Sequence, residues 1–379
     1  MGNLKHNENL LMLSFLWLNR LIDSAQGKKW LNDSAAGVAP ELKWDQALIL
    51  DYFSLSEAQQ ARLFRALDLQ SADPDILSCA DYCAEENIQL ISLADPLYPA
   101  YLKEISSPPL VLFVKGQGGE ALLSSPASLT VVGARNCTPY GINCTSRLLR
   151  PLAAAGCCIV SGLARGIDGQ AHMAALAARG KTIAILPGGV DVCYPAEHRH
   201  LYQQIQLQGA VISEQWPGTR PQRSYFAARN RLLSGLSQAT LVIESSQRSG
   251  TLITVDHALR QGREVLAVPG SIYSPLSVGT NQLIKEGATP VTGIQDLWSV
   301  LNINPPAVTV NDPLMTAVKR YQLDQNQSRL LAILSAGPLN YTEIARLDFA
   351  REQVQQLIFD LECCGLIQLY RGKYTVRWP

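Results

Sequence analysis

Short apolar runs alternate with longer stretches of helical period through the middle of the chain. Leu129–Val132, Cys157–Val160, Thr182–Leu186, Ala210–Ser213, Thr240–Glu244, Val265–Val268 and Thr289–Val291 are nearly all apolar. Between them lie helical stretches of ten to fifteen residues, such as Ile142–Ala155, Gly169–Ala178 and Thr251–Arg260. A strand apolar on both faces must be covered on both faces, and strand–helix alternation achieves this with a parallel sheet. The pattern predicts an α/β fold with a doubly wound parallel sheet. Two further β-like runs, Ile88–Ser92 and Leu110–Val114, precede it and are separated by Pro96, Pro99, Pro108 and Pro109.

The flanks differ in pattern. Residues 1–84 are helical and polar-punctuated (Trp44–Tyr52, Ser56–Leu67, then a helix opened by Asp73-Pro74 and running to Glu86), which predicts a small helical N-terminal domain. The main sheet domain is expected over 85–303. Asn302–Pro313 is linker-like in composition, and residues 304–322 are expected to be the linker. Over 323–379 the order is Gln327–Ser335, Asn340–Leu347, Arg351–Cys364, then Leu366–Tyr370 and Lys373–Val376 around Arg371-Gly372. Three helices and a β-hairpin give a winged-helix-like C-terminal domain. Its third helix carries one Arg against Glu352, Asp360 and Glu362, a poor charge balance for gripping DNA, so a protein-contact or regulatory role is expected.

Composition changes this picture in one respect. The formal net charge of the 379 residues is zero, yet between Thr130 and Gly270 thirteen Arg and one Lys face seven Asp and Glu. Arginine suits planar, bidentate phosphate contacts, so the middle domain is expected to meet a polyanion. The alternative is arginines spread over helix surfaces. The nine cysteines include no CxxC pair and several lie in apolar runs, a reduced cytoplasmic pattern. Leu10–Leu18 behind Lys5 is read as a buried helix rather than a signal peptide, and no run reaches transmembrane length. A soluble cytoplasmic protein with no membrane partner is expected.

Two segments carry the candidate chemistry. Val131-Val132-Gly133-Ala134-Arg135 and Ser161-Gly162-Leu163-Ala164-Arg165-Gly166-Ile167-Asp168 each leave a strand through a glycine turn bearing an arginine and enter a helix. In a parallel sheet such turns lie at the carboxyl edge, where backbone N–H groups and helix N-termini bind anions, phosphate above all. Ser249-Gly250-Thr251 and Gly279-Thr280-Asn281 also open helices and either bind phosphate or merely cap. Arg220–Arg231 is the densest basic segment, with Tyr225 and Phe226 between its arginines, a combination that fits a single strand's backbone and bases. Within it, Arg229 or Arg231 could instead pair with Glu244 or Glu214.

Other chemistries fail on spacing. Gly180-Lys181-Thr182 is no P-loop, because Ala175 stands where glycine is needed and the lysine leads into a strand. No GxGxxG follows the first strand, which disfavours NAD. Ser161, Asp168 and His172 lack a GxSxG elbow, and Asp168 is better read as the cap or first residue of its helix. His198 and His200 have only Glu197 nearby, so no metal site is expected. Pro187-Gly188-Gly189 resembles the turn of nucleoside-monophosphate phosphoribohydrolases but continues Val190-Asp191-Val192-Cys193-Tyr194-Pro195, without their catalytic part.

Tyr98–Pro109, Val131–Arg135, Ser161–His172, Thr182–Pro195, Ile212–Glu214, Phe226–Arg231, Ser249–Thr251, Val268–Gly270 and Gly279–Asn281 stand together in the order of one family. From about Leu93 to Gly287 the chain resembles the DNA-processing protein A family (DprA, also called Smf). The resemblance implies an extended Rossmann-like sheet, no enzymatic activity and no cofactor. It also implies single-stranded DNA binding in natural transformation, loading of the RecA recombinase, and a homodimer through the Rossmann-like domain. The family's phosphate-contact motif falls on Gly133-Ala134-Arg135. Its Lys-x-x-Phe motif falls on Arg223-Ser224-Tyr225-Phe226, with arginine for lysine. Arg135, Arg165, Gly166, Arg223, Ser249, Gly250 and Thr251 are thus expected at phosphates and Phe226 at a base. The chain lacks the Gly-x-Gly-Pro hairpin of the family's N-terminal domain and has Ala227 where the family has proline. A nucleotide-binding or phosphoribohydrolase-like protein on the same sheet is the competing reading.

Overall fold

The computed structural model describes residues 74–93, 95–116, 127–303, 313–370 and 372–377. Apart from its final helix, the expected N-terminal helical domain lies outside the described residues. The chain divides into two compact units, residues 1–304 and 305–379.

The first unit begins with α1 (Pro74–Glu85), β1 (Ile88–Ser92), α2 (Ala100–Lys103) and β2 (Val111–Gly116). The alternation then runs β3 (Ser128–Val132), α3 (Pro139–Ala154), β4 (Cys158–Ser161), α4 (Ile167–Ala177), β5 (Thr182–Ile185), α5 (Arg199–Gln208) and β6 (Ala210–Ser213). It continues through α6 (Arg223–Gly235), β7 (Ala239–Val242), α7 (Thr251–Arg260), β8 (Glu264–Ala267), α8 (Val278–Lys285), β9 (Thr289–Pro290) and α9 (Ile294–Val300). The nine strands form one sheet in the order β1-β2-β6-β5-β4-β3-β7-β8-β9. All pairs from β6 to β9 are parallel, while β2 runs antiparallel to β6 and β1 antiparallel to β2. The chain steps outward from β3 to β6, then returns to the other side of β3 to lay down β7. That reversal opens a crevice above the carboxyl ends of the central strands, where open α/β sheets bind ligands.

Every residue of β4, β5, β6 and β7 is buried, as expected for strands covered on both sides. Their side chains alternate between layers. Leu129, Val131, Ile159 and Leu241 pack with Leu148, Leu152, Ala171 and Leu297 of α3, α4 and α9. Val132, Val160, Ile185 and Val242 pack with Leu232, Leu233 and Val255 of α6 and α7. Helix α3 starts earlier than its apolar period suggests, because the Thr138 hydroxyl caps it by accepting from the Gly141 N–H (3.2 Å) and Pro139 supplies a preset first turn.

The second unit contains α10 (Pro313–Tyr321), α11 (Gln325–Ala336), α12 (Tyr341–Ile344), α13 (Arg351–Cys363) and the antiparallel pair β10 (Ile367–Tyr370) and β11 (Lys373–Val376). Leu330, Leu334, Ile344, Leu357, Leu361 and Leu366 form its core. The linker expectation needs correction. Residues 304–312 lie outside the described residues, but most of 313–322 is helical. Ala317 is buried there, and Leu314 and Tyr321 pack on the core at helical spacing. The expected helix over 340–347 is a single turn, opened by a capping box between Asn340 and Glu343.

Candidate nucleic-acid interface

The turns after β3 and β4 are built against each other. Gly166 has φ +72°, and a Cβ there would lie 2.2 Å from the Ala134 carbonyl oxygen and 2.4 Å from that of Arg135. Only glycine combines this backbone with this approach. The Ile167 N–H, at the start of α4, donates to the Ala134 carbonyl (3.2 Å). The clasp leaves the Arg135 side chain exposed at the rim, without an ion pair to any described residue.

A cavity of about 270 Å³ opens beside it. Arg135, Asn136, Gly162, Ala164 and Arg165 line it from these two turns, Pro187, Tyr194 and Pro195 from the segment after β5, and Phe226 from α6. The Arg135 guanidinium carbon lies 5.7 Å from the Phe226 ring centroid. Tyr194 meets the same ring edge-on at 5.5 Å and 75°. Arg223 is the exposed first residue of α6 and Phe226 stands one turn further, which brings an arginine and the ring to one face of the helix. Arg165 is exposed and paired with Glu197. Hydrogen bonding between them raises the guanidinium pKa and holds the carboxyl below its usual range.

Beneath the cavity lies a buried polar group. The Gly162 N–H donates to Asp168 Oδ2 (3.2 Å), and Arg229 donates to the Ile185 carbonyl. A Cβ on Gly162 would sit 2.1 Å from Arg229 Nη1. Burial raises the Asp168 carboxyl although Arg229 opposes the shift, and burial pushes Arg229 down to about 10. Asp168 is the second residue of α4 and Gly166 the cap, so the helix-start role stands with that shift of position. No hydrolytic trio assembles. The Ser161 hydroxyl donates to the Val131 carbonyl (2.6 Å), and His172 Nδ1 meets Thr182 Oγ1 (2.7 Å).

The other expected phosphate ligands are placed differently. The Ala134 N–H donates to the Glu244 carbonyl (2.9 Å), while the Glu244 carboxylate accepts from the N–H (2.9 Å) and hydroxyl of Thr138. The N-terminus of α3 therefore already holds an anion, the protein's own. Gly133 packs against Ile167. Ser249, Gly250 and Thr251 do not line the cavity. Thr251 Oγ1 donates to the Gly133 carbonyl (3.2 Å), and the Ser249 hydroxyl accepts from the Thr251 N–H (3.2 Å), so these hydroxyls brace the Gly133 turn. Gly279, Thr280 and Asn281 lie within the first turn of α8, after its cap position Ser277, and the Gly279 N–H donates to the Ser245 carbonyl (2.8 Å). Of the alternative pairings, Arg231 with Glu214 forms (2.5 Å), whereas Arg229 turns to the Asp168 side rather than to Glu244. Sequence reasoning missed Asn136 and Tyr194. Pro187 opens the Pro-Gly-Gly segment and Tyr194-Pro195 follows it. Its sequence suits either a structural turn or one shaped around a ligand that is not cleaved, and all three residues line the cavity.

The fold agrees with comparisons to known proteins. Residues 89–302 match the family model described as DNA recombination-mediator protein A. The DNA processing protein DprA of Bacillus subtilis is 41% identical over 217 residues, 57% of this chain and 72% of that protein. The X-ray structure of DNA processing protein A from Streptococcus pneumoniae superposes with a TM-score of 0.64 at 34% identity, covering 76% of this chain and 96% of that one. A structure of DNA processing protein A from Helicobacter pylori, described for its single-stranded DNA binding mode, gives a TM-score of 0.52 at 30% identity over 57% of this chain and 97% of that one. Among the described residues no helix is long and apolar enough to cross a membrane. The matched region contains the sheet, both interlocked turns and Phe226, and the chain belongs to the DNA recombination-mediator protein A family.

Proposed function

We propose that this protein binds single-stranded DNA at the carboxyl edge of its sheet and, without catalysing a reaction itself, mediates recombination by loading the RecA recombinase during natural transformation. The observation that carries the reading is the cavity bounded by the Arg135 cation and the Phe226 ring. A guanidinium at the rim suits a phosphate, and an aromatic face beside it suits an unpaired base, which only a single strand exposes. Arg223, one turn before Phe226, extends the cationic rim toward the next phosphate. The protein works as a cytoplasmic homodimer joined through the Rossmann-like unit, as the family resemblance implies. The phosphoribohydrolase-like alternative is disfavoured: the described residues lining the cavity include two arginines and no carboxylate.

Fluorescence anisotropy with a labelled single strand tests this, using wild type, Arg135→Ala and Arg223→Ala with duplex as competitor. Tight wild-type binding, weakened in both variants for every sequence alike and poorly competed by duplex, is the expected result. Phosphate contacts carry no base code, and each one lost should flatten the log–log salt dependence by about 0.7. Equal binding by all three proteins would remove the cavity from the account. RecA filament nucleation on the bound strand then tests the loading step.

A further inference from the structure

Away from the cavity, the arginines of the sheet unit fall into a paired set and an unpaired set. On the side covered by α6 and α7, Arg231 pairs with Glu214, Arg260 with Asp256 and Arg263 with Glu104, and Arg229 is buried. Arg223, at the cavity end of α6, is exposed without an ion pair to a described residue and belongs to the cavity rim. The opposite side is covered by α3, α4 and α5, with α3 packed on α4 and α4 on α5. Arg147 and Arg150 on α3, Arg179 just past α4 and Arg199 at the start of α5 are all exposed. None of these four makes an ion pair with a described residue.

The acidic groups of this layer are committed elsewhere. Asp168 is buried beneath the cavity, and Glu197 holds Arg165. Asp191 accepts from the Gly218 N–H (2.8 and 2.9 Å) and the Tyr82 hydroxyl (3.0 Å). Asp296, on the neighbouring α9, accepts at Oδ2 from the Thr292 N–H and hydroxyl and the Gly293 N–H. Uncompensated like charges on one surface build a potential that attracts a polyanion.

Their placement gives the surface a direction. Helices α3 and α4 both leave the carboxyl edge of the sheet and run back toward the opposite edge. The eleven residues of α4 rise about 16 Å, which puts Arg179 at the end remote from Arg165 and the cavity. Arg150 is the twelfth residue of α3 and reaches a similar height, with Arg147 a turn above it. The cations descend the helical layer from the cavity rim.

We propose that the α3–α4–α5 layer is a second nucleic-acid contact, along which the sugar–phosphate backbone of a strand held at the cavity continues toward the far edge of the sheet. This rests on the single-strand reading of the cavity. The test uses the full chain and two labelled strands, one of about six nucleotides and one of about thirty, titrated from low to high salt. Wild type is compared with Arg147→Gln, Arg150→Gln and Arg179→Gln combined. All three side chains are exposed, and glutamine keeps the helix propensity of α3. On the long strand the combined variant should show a salt slope shallower by about 2, since each lost single-strand phosphate contact removes about 0.7. The short strand should bind wild type and variant with the same affinity and slope. Arg260→Gln, which removes a paired arginine from the other side, should leave both strands unchanged, showing that net charge is not the cause. Equal long-strand slopes in wild type and the combined variant overturn the proposal, as does an equal loss on both strands. Binding lost in Arg135→Ala but unchanged in the combined variant overturns this contact and leaves the cavity reading intact. Failure of wild type to bind either strand overturns both.

Discussion

Arg135 and Phe226, on different strand–helix units of the sheet, bound the cavity together and also touch each other, with the guanidinium carbon 5.7 Å from the ring centroid. A cation over a ring face interacts with it, and groups in contact do not contribute independently. Arg135→Ala and Phe226→Ala should each weaken single-strand binding, the latter by about 1–3 kcal/mol for one lost stacking platform. The double variant should lose less than the sum, with a coupling of roughly 0.5 kcal/mol or more. A double-mutant cycle read by anisotropy measures this. Strict additivity would mean that the ring and the cation meet the strand separately.

The clasp between the two turns predicts a contrast among glycines. Gly166→Ala places a Cβ 2.2 Å from the Ala134 carbonyl oxygen at a φ of +72°, and the turn bearing Arg135 must shift. Urea unfolding should show a loss of at least about 1 kcal/mol, with strand affinity falling as well. Gly250 has φ −60° and nothing within 4 Å of an added Cβ. Gly250→Ala should therefore unfold within about 0.5 kcal/mol of wild type. Similar losses at both positions would show that the interlock is not what the glycine serves.

The sheet was legible in the chain because strands buried on both faces leave near-continuous apolar runs, such as Thr182–Ile185 and Ala210–Ser213. The arginine-bearing turns were legible for the same reason, as the points where those runs break. What each amide does was not. The Ala134 N–H is taken by the Glu244 carbonyl, and the α3 N-terminus by the Glu244 carboxylate, from more than a hundred residues away. No local pattern encodes that pairing. Tyr194 likewise joins the cavity only because the segment after β5 folds over Phe226. Helix α10 was hidden by the proline- and asparagine-rich stretch before it, although Leu314, Ala317 and Tyr321 carry its spacing.

Arg231 belongs to the dense basic segment, yet its side chain and that of Glu214 are only 16% and 17% exposed and lie 2.5 Å apart. Its Nε also donates to the Ser107 carbonyl (3.1 Å), which ties α6 to the segment before β2. Arg231→Ala leaves Glu214 largely buried without its partner, and a loss of about 3 kcal/mol in urea unfolding is expected. The salt slope of strand binding should not change, because this guanidinium serves the fold rather than a phosphate. A slope flattened by about 0.7 with stability intact would assign Arg231 to the strand instead.

His172 makes the sheet unit sensitive to acid. The Thr182 hydroxyl donates to the Ile159 carbonyl (2.7 Å), so His172 Nδ1–H must donate to Thr182 Oγ1, which leaves the buried Nε2 unprotonated and without a partner. Burial holds the imidazole down to about 3, against about 6.5 in an unfolded chain. Below pH 6.5 the unfolded state therefore binds a proton that the folded state refuses, and stability falls as pH falls through that window toward 3. Lowering the pH from 7 to 5 should cost about 2 kcal/mol from this group alone, read by urea unfolding at each pH. His172→Gln is expected to be less stable than wild type at pH 7 but to lose correspondingly less between pH 7 and 5. An identical pH dependence in the two proteins would show that the imidazole takes up its proton without unfolding the sheet.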